Sequence, residues 1–247
     1  MAEPEIVLCR DVAELSRQSN EGFTQLAHES LEAAGRVTVA LCGGSTPKHL
    51  YSLLASPDYS DQIPWNNVQL FWGDERCVPP DHPDSNFRMV QEALLSKIRI
   101  PAENIHRMPG EREPRAAAAE YEKELQKFFG LNSGALPRFD LILLGIGEDG
   151  HTASLFPGSD ALNETKHSVV APFVAKLNSY RLSLSLPVLN NAANVWFLVT
   201  GASKADTVKQ IFSGTSDLPA ARVQPVDGKL TWWVTRDTAP GIPTAGK

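Results

Sequence analysis

The sequence predicts an α/β fold, with one doubly wound, mainly parallel sheet and helices on both faces. Three observations carry that expectation. Short apolar, β-branched runs alternate with amphipathic helical segments along the 247 residues, which is the pattern of βαβ units. No Pro/Gly-rich linker and no fixed-period repeat interrupts them, so residues 1–247 read as a single domain. Within Phe139–Ile146 the LILL run shows no polar alternation, as expected of a strand covered on both faces.

The elements follow in order. Asp11 is placed to cap a helix over residues 12–35, closed by Gly35. Val37–Cys42 (VTVALC) reads as a buried strand, followed by a glycine turn and a helix over residues 47–56. Asn67–Gly73 is the next strand, and residues 85–98 form a helix with Ser85 near its cap. A short strand is expected around Ile105. Alanine content and Glu/Lys spacing make residues 113–130 helical. After Phe139–Ile146, weaker strands are expected at residues 168–172 and 181–186. The strand Asn194–Thr200, a helix over residues 203–212 and a last strand over residues 229–235 complete the chain. Trp232 and Trp233 are assigned to core or edge packing.

Composition narrows the partners. A formal net charge of -6 argues against nucleic acid, and an anionic small molecule is admitted only where basic side chains gather locally. No segment approaches the roughly twenty apolar residues of a bilayer span. The opening MAEPEIVLCRDVAELS has acids and an arginine where a secretory leader needs an apolar run. Cys9, Cys42 and Cys77 lack metal-ligand spacing, which suits a reducing cytoplasm and no metal.

In a doubly wound sheet, ligands sit at the carboxyl ends of the strands. Three such ends carry chemistry here. In LCGGSTPK, Gly43 and Gly44 permit close backbone approach, Ser45 and Thr46 offer hydroxyls, and the helix start presents free N–H groups to an anion. The Walker spacing G-x-x-x-x-G-K-[ST] is absent, which disfavours a nucleoside triphosphate. In FWGDERCVPPDHPDSN, Arg76 has the fork to grip a phosphate or carboxylate, and Asp74 can orient a hydroxyl or a basic partner. The plainer reading of Asp74, Glu75 and Arg76 is a structural ion pair. In LILLGIGEDGHTASLFP, Gly145, Gly147 and Gly150 match a dinucleotide turn, but the stretch lies mid-chain with no long helix behind it. Its glycines are better explained as a sharp turn that holds Asp149 and His151 over the sheet edge. His28, His49, His82, His106 and His167 are read as structural or exposed, and the thiols of Cys42 and Cys77 as buried packing rather than nucleophiles.

GGSTP, GDER and GxGxDGHTASLFP, in this order on these strand ends, resemble the 6-phosphogluconolactonases, a group that shares a Rossmann-like fold with glucosamine-6-phosphate deaminase. RLSLSLPVLNNA and VTGASKA are similar to later blocks of that family, so the likeness spans almost the whole chain. The resemblance implies hydrolysis of 6-phospho-D-glucono-1,5-lactone in the oxidative pentose phosphate pathway, with a sugar-phosphate substrate and neither metal nor organic cofactor. It also adds Arg181 and Lys204 to the phosphate candidates. Where the deaminases carry D-G-H-x-A-x-x-E-P, this chain has Phe156 in place of the glutamate, which tells against deamination.

The candidate catalytic residues are therefore His151, Asp149 and Asp74. The candidate binding residues are Gly43, Gly44, Ser45, Thr46, Arg76, Arg181 and Lys204. His151 is expected to act as general base on water, with either Asp149 or Asp74 as its partner. The oxyanion donors are expected either at the Gly43–Thr46 turn or near Gly147–Gly150. A sugar-phosphate isomerase or deaminase and a catalytically silent sugar-phosphate sensor are the rival readings. The working unit is expected to be a monomer or dimer.

Overall fold

The computed structural model describes residues 3–132 and 134–240. Seven parallel strands form the main sheet in the order β1-β11-β10-β6-β2-β3-β5. They are β1 (Glu5–Cys9), β2 (Val37–Leu41), β3 (Val68–Trp72), β5 (Ile105–His106), β6 (Leu141–Leu144), β10 (Asn194–Val199) and β11 (Lys229–Thr235). The chain builds β2, β3 and β5 outward to one edge, returns to insert β6 beside β2, and then builds β10 and β11 toward the other edge. β2 and β6 are thus neighbours whose following segments leave in opposite directions. A crevice opens at their carboxyl ends, as it does wherever strand order reverses in such a sheet.

Side-chain alternation shows why helices cover both faces. Trp196 and Trp233 point to one side, where Gly22 of α1 (Val12–Ala34) approaches them. Phe197 and Trp232 stack on the other side with centroids 3.9 Å apart, and Phe212 of α7 (Ala205–Phe212) covers them. Phe71 and Phe139 meet Phe128 and Phe129 of α5 (Pro114–Phe129) in a cluster of edge-to-face and tilted contacts. Both terminal tryptophans are therefore core residues.

Local signals set the helix ends. Asp11 accepts the N–H of Glu14 at 2.9 Å, and Gly35 closes α1 in the left-handed region with φ 71°. Ser85 likewise caps α4 (Asn86–Ala93) by accepting the N–H of Arg88. The predicted helix over residues 85–98 is shorter than expected, because the chain tightens into a 3₁₀ turn at Leu95–Lys97. The helix after the glycine turn, α2 (Ser45–Leu54), starts earlier than expected.

The two weaker strands lie outside the parallel sheet. They pair in a small antiparallel sheet made of β4 (Asp74–Arg76), β9 (Ser179–Leu184) and β7 (Val169–Val170), with β8 (Phe173–Val174) hairpinned onto β9. Both β4 and the edge strand β1 go beyond the elements predicted from sequence. β1 pairs only with β11 at the far end of the chain, so no local signal announces it. Among the described residues no helix is long and apolar enough to cross a membrane.

Candidate active site

The loop after β6 folds back on itself. Gly147 N–H donates to the His151 carbonyl at 2.9 Å, and Gly150 N–H donates to the Gly147 carbonyl at 3.0 Å. This brings the imidazole over the backbone of Gly147, where a Cβ would lie 2.0 Å from Nδ1. The glycine is required by the ring above it.

His151 Nδ1 meets Asp149 Oδ1 at 2.5 Å, and the His151 backbone N–H donates to the same oxygen at 3.2 Å. Of the two acids left open by the sequence, the imidazole therefore partners Asp149. A neutral ring that donates from Nδ1 carries its lone pair on Nε2, and Nε2 has no hydrogen-bond partner among the described residues. Phe156 stacks on the imidazole at 4.1 Å and 25°, fixing the plane of the ring. Burial pushes the Asp149 carboxyl up, but hydrogen bonds from Lys176 and His151 outweigh it and hold the group well below the usual carboxylate range.

Asp74 has a different set of partners. It is buried and accepts Ser154 Oγ at 2.7 Å and Asn86 Nδ2 at 3.3 Å. It thereby ties the turn after His151 to the start of α4. Glu75 caps α4, accepting the N–H groups of Asn86 at 2.7 Å and Phe87 at 2.8 Å, the Ser85 hydroxyl at 3.1 Å, and its neighbour's N–H at 2.8 Å. Burial nevertheless raises its carboxyl above the ordinary value. The ion pair that the DER sequence suggested is not formed, since the Arg76 guanidinium donates to the Asp84 carbonyl at 2.6 Å.

A cleft of about 270 Å³ brings several of these groups together. Its walls include Gly43, Gly44, Asp74, Arg76, His151 and Lys204. Lys204 reaches it from a 3₁₀ turn after β10. Ser45 is exposed at the first turn of α2 and Thr46 is buried, its hydroxyl 2.6 Å from that of Thr200. Neither side chain forms the wall. No acceptor is found among the described residues for the N–H groups of Gly43, Gly44, Ser45 or Thr46, whereas those of Gly147 and Gly150 are committed within their own turn.

Arg181 stands opposite Arg76 across the β4–β9 pair. Its Nη1 turns onto its own strand, donating to Ser179 Oγ at 2.9 Å and the Tyr180 carbonyl at 3.0 Å, so it backs the cleft rather than lining it. Burial, and then the charge of Arg76, lowers its pKa. Among the described residues no carboxylate pairs with Arg76, Arg181 or Lys204.

The remaining histidines have structural or exposed settings where contacts are present. His106 is held between Glu124 and Gln69, His167 meets Glu122, and His28 meets the Gln62 carbonyl. Burial pushes the Cys77 thiol up to about 11 and raises that of Cys42 as well, which suits packing rather than nucleophilic attack. Sequence reasoning missed Lys176, Ser154 and Asn86. Ser154 lies inside the histidine loop and Asn86 ends the stretch that carries Asp74 and Arg76, whereas Lys176 comes from a segment with no motif of its own.

The pattern of the family described as glucosamine-6-phosphate isomerases/6-phosphogluconolactonase matches residues 10–232. A 6-phosphogluconolactonase from a Nostoc species is 42% identical over 207 residues, which cover 82% of this chain and 83% of that protein. The solved 6-phosphogluconolactonase of Trypanosoma brucei superposes with a TM-score of 0.88 at 29% identity, covering 98% of this chain and all of that one. A solved monomeric glucosamine-6-phosphate deaminase, 19% identical with a TM-score of 0.79 over 95% of this chain and 98% of that one, shares the fold alone.

Proposed function

We propose a mechanism from the premise that this chain belongs to the family of glucosamine-6-phosphate isomerases and 6-phosphogluconolactonases. Its reaction is hydrolysis of 6-phospho-D-glucono-1,5-lactone to 6-phospho-D-gluconate, a step of the oxidative pentose phosphate pathway. The observation that carries the mechanistic reading is the Nε2 of an Asp149-bound imidazole, without a hydrogen-bond partner among the described residues, in the same cleft as two cations that lack acid partners among those residues.

In this reading the phosphate binds to Arg76, Lys204 and the open N–H groups at the start of α2, with Ser45, Thr46 and Arg181 supporting that wall. Holding the phosphate orients C1 toward His151, which uses binding energy remote from the reacting bond. Nε2 takes a proton from water as its oxygen attacks C1. The resulting alkoxide is stabilised from the Gly43 side of the cleft, since the Gly147 and Gly150 amides are already committed. The C1–ring-oxygen bond then breaks, and the imidazolium returns its proton to the departing ring oxygen. Asp149 keeps the imidazole in the required tautomer, and Asp74 holds Ser154 and Asn86 in place around the cleft. None of these steps calls for a metal or an organic cofactor.

Phe156 fills the space beside His151 that the deaminase pattern gives to a glutamate, so a second carboxylate for ring opening is missing there. This supports lactone rather than glucosamine 6-phosphate as the substrate. Residues 1–247 are taken as one lactonase domain. The three unpaired thiols Cys9, Cys42 and Cys77 support a reducing, cytoplasmic setting. The test is the time course of 6-phosphogluconate release from freshly generated lactone, read against the spontaneous rate. His151→Asn is expected to lose about a hundred- to ten-thousand-fold in kcat with little change in KM. Near-normal turnover by that variant removes histidine from the mechanism.

A further inference from the structure

We propose that Lys176 is a positioning residue for this reaction: from the tip of the β8–β9 hairpin it holds Asp149 and Phe156 against His151 and keeps the imidazole in its proton-accepting form. The inference rests on the reading of His151 as general base.

The geometry is a chain of contacts that ends at the imidazole. Lys176 Nζ pairs with Asp149 Oδ2, while the other oxygen of that carboxylate holds His151 Nδ1. The same ammonium lies 4.7 Å from the centroid of Phe156, the ring stacked on His151. One side chain thus touches both groups that fix the imidazole. The hairpin pairs Phe173 with Tyr180 and Val174 with Ser179, and its turn ends at Asn178 in the left-handed region with φ 45°. Phe173 and Leu177 are half exposed while Lys176 between them reaches the histidine loop.

Charge explains what the contact does. A carboxylate beside an imidazole favours the protonated ring, and a general base must be unprotonated to act. An ammonium on the far oxygen offsets the field of that carboxylate, and its own charge opposes a second positive charge on the ring. Of the other elements packed on the histidine loop, β4 brings one charge, the Asp74 carboxylate, which accepts from Ser154 and Asn86. α7 meets it through Thr207 and the 219–222 turn through Leu218 and Ala220. On the cleft side Asp74, Arg76 and Lys204 share the lining, and none forms an ion pair with Asp149 or His151 among the described residues.

The experiment compares the parent enzyme with Lys176→Met and Lys176→Arg by two readouts. One is the NMR titration of the His151 ring without substrate, and the other is the pH profile of kcat/KM. Lys176→Met is expected to raise the His151 titration midpoint by about one pH unit and to move the acid limb of kcat/KM by the same amount. Activity then falls about tenfold on the acid side and recovers at higher pH, with KM changed less than about twofold. Lys176→Arg, which keeps the charge, is expected to restore both profiles. An unchanged His151 midpoint in folded Lys176→Met overturns the inference, whatever the activity, and so does a raised KM with an unchanged midpoint. If Lys176→Met does not fold, Lys176→Gln is titrated in its place and judged by the same midpoint. Because the NMR titration needs no turnover, its result stands apart from the fate of the His151 mechanism. An active His151→Asn enzyme overturns that mechanism without moving the titration.

Discussion

The two walls of the cleft treat charge in opposite ways. On the β6 side, Asp149 is bound by Lys176 and His151, and an aromatic ring is stacked on the imidazole. On the β4–β9 side, Arg76 and Arg181 stand opposite each other across the strand pair, Lys204 comes from a third element, and among the described residues none of the three forms an ion pair, the nearby Asp74 being held by Ser154 and Asn86. Like charges opposite each other on a sheet are unfavourable, and an anion bound between them would relieve that repulsion. The paired wall holds one ring against its carboxylate, and the unpaired wall is the one we propose for the phosphate. A lactonase needs both, because water must be activated at one end of the sugar while the other end is held.

This contrast makes separable predictions. The largest effect is expected on the paired wall, where Gly147→Ala places a methyl in the space of the imidazole. A displacement of about 1 Å costs about a hundredfold, so kcat should fall by about that factor while KM stays close to the parent value. Steady-state kinetics on fresh lactone check this, and a variant that loses KM alone would erase the distinction between the walls. On the unpaired wall, Arg76→Ala and Lys204→Ala should each raise KM about tenfold, the scale of a charge-assisted hydrogen bond to phosphate. Inorganic phosphate should compete with substrate in the parent and compete less well in both variants. An unchanged KM in the pair removes them from the phosphate site.

The smallest effect concerns stability. The folded-state pKa of Asp149 lies below its unfolded value, so the carboxylate stabilises the fold above pH about 3.9 and that contribution is lost as pH falls through the folded value. Because the pair is partly exposed, Asp149→Asn should cost less than about 1 kcal/mol near neutral pH. The difference should shrink as pH drops below about 4. Denaturant melts across that range check the sign, and a gap that widens in acid contradicts the assignment.

Legibility followed the length of the signal. The caps at Asp11 and Ser85 and the closing Gly35 lie within a few residues of what they satisfy, and each was readable. The weaker strands at residues 168–172 and 181–186 were readable as strands, but nothing local tells a strand which sheet it joins. β1 went unseen because its five residues are stabilised by a partner more than 220 positions away. In the site, GIGEDGH announced a sharp turn and a histidine, since the glycines answer to atoms within the same loop. Lys176 carried no motif, and only the hairpin brings it to Asp149 across 27 positions.

The sequence by itself determined most of the central strands and helices, the three candidate strand ends and the turn that lifts His151, because those follow from backbone sterics, capping and periodicity over short spans. Tertiary structure alone decided that Asp74 is held by Ser154 and Asn86 instead of the imidazole, that Arg76 faces Arg181 instead of an acid, and that Lys176 reaches Asp149. Those outcomes depend on β6 lying beside β2 and on β4 pairing with β9. Such long-range pairings bring together charges that are remote along the chain, and no local preference specifies them.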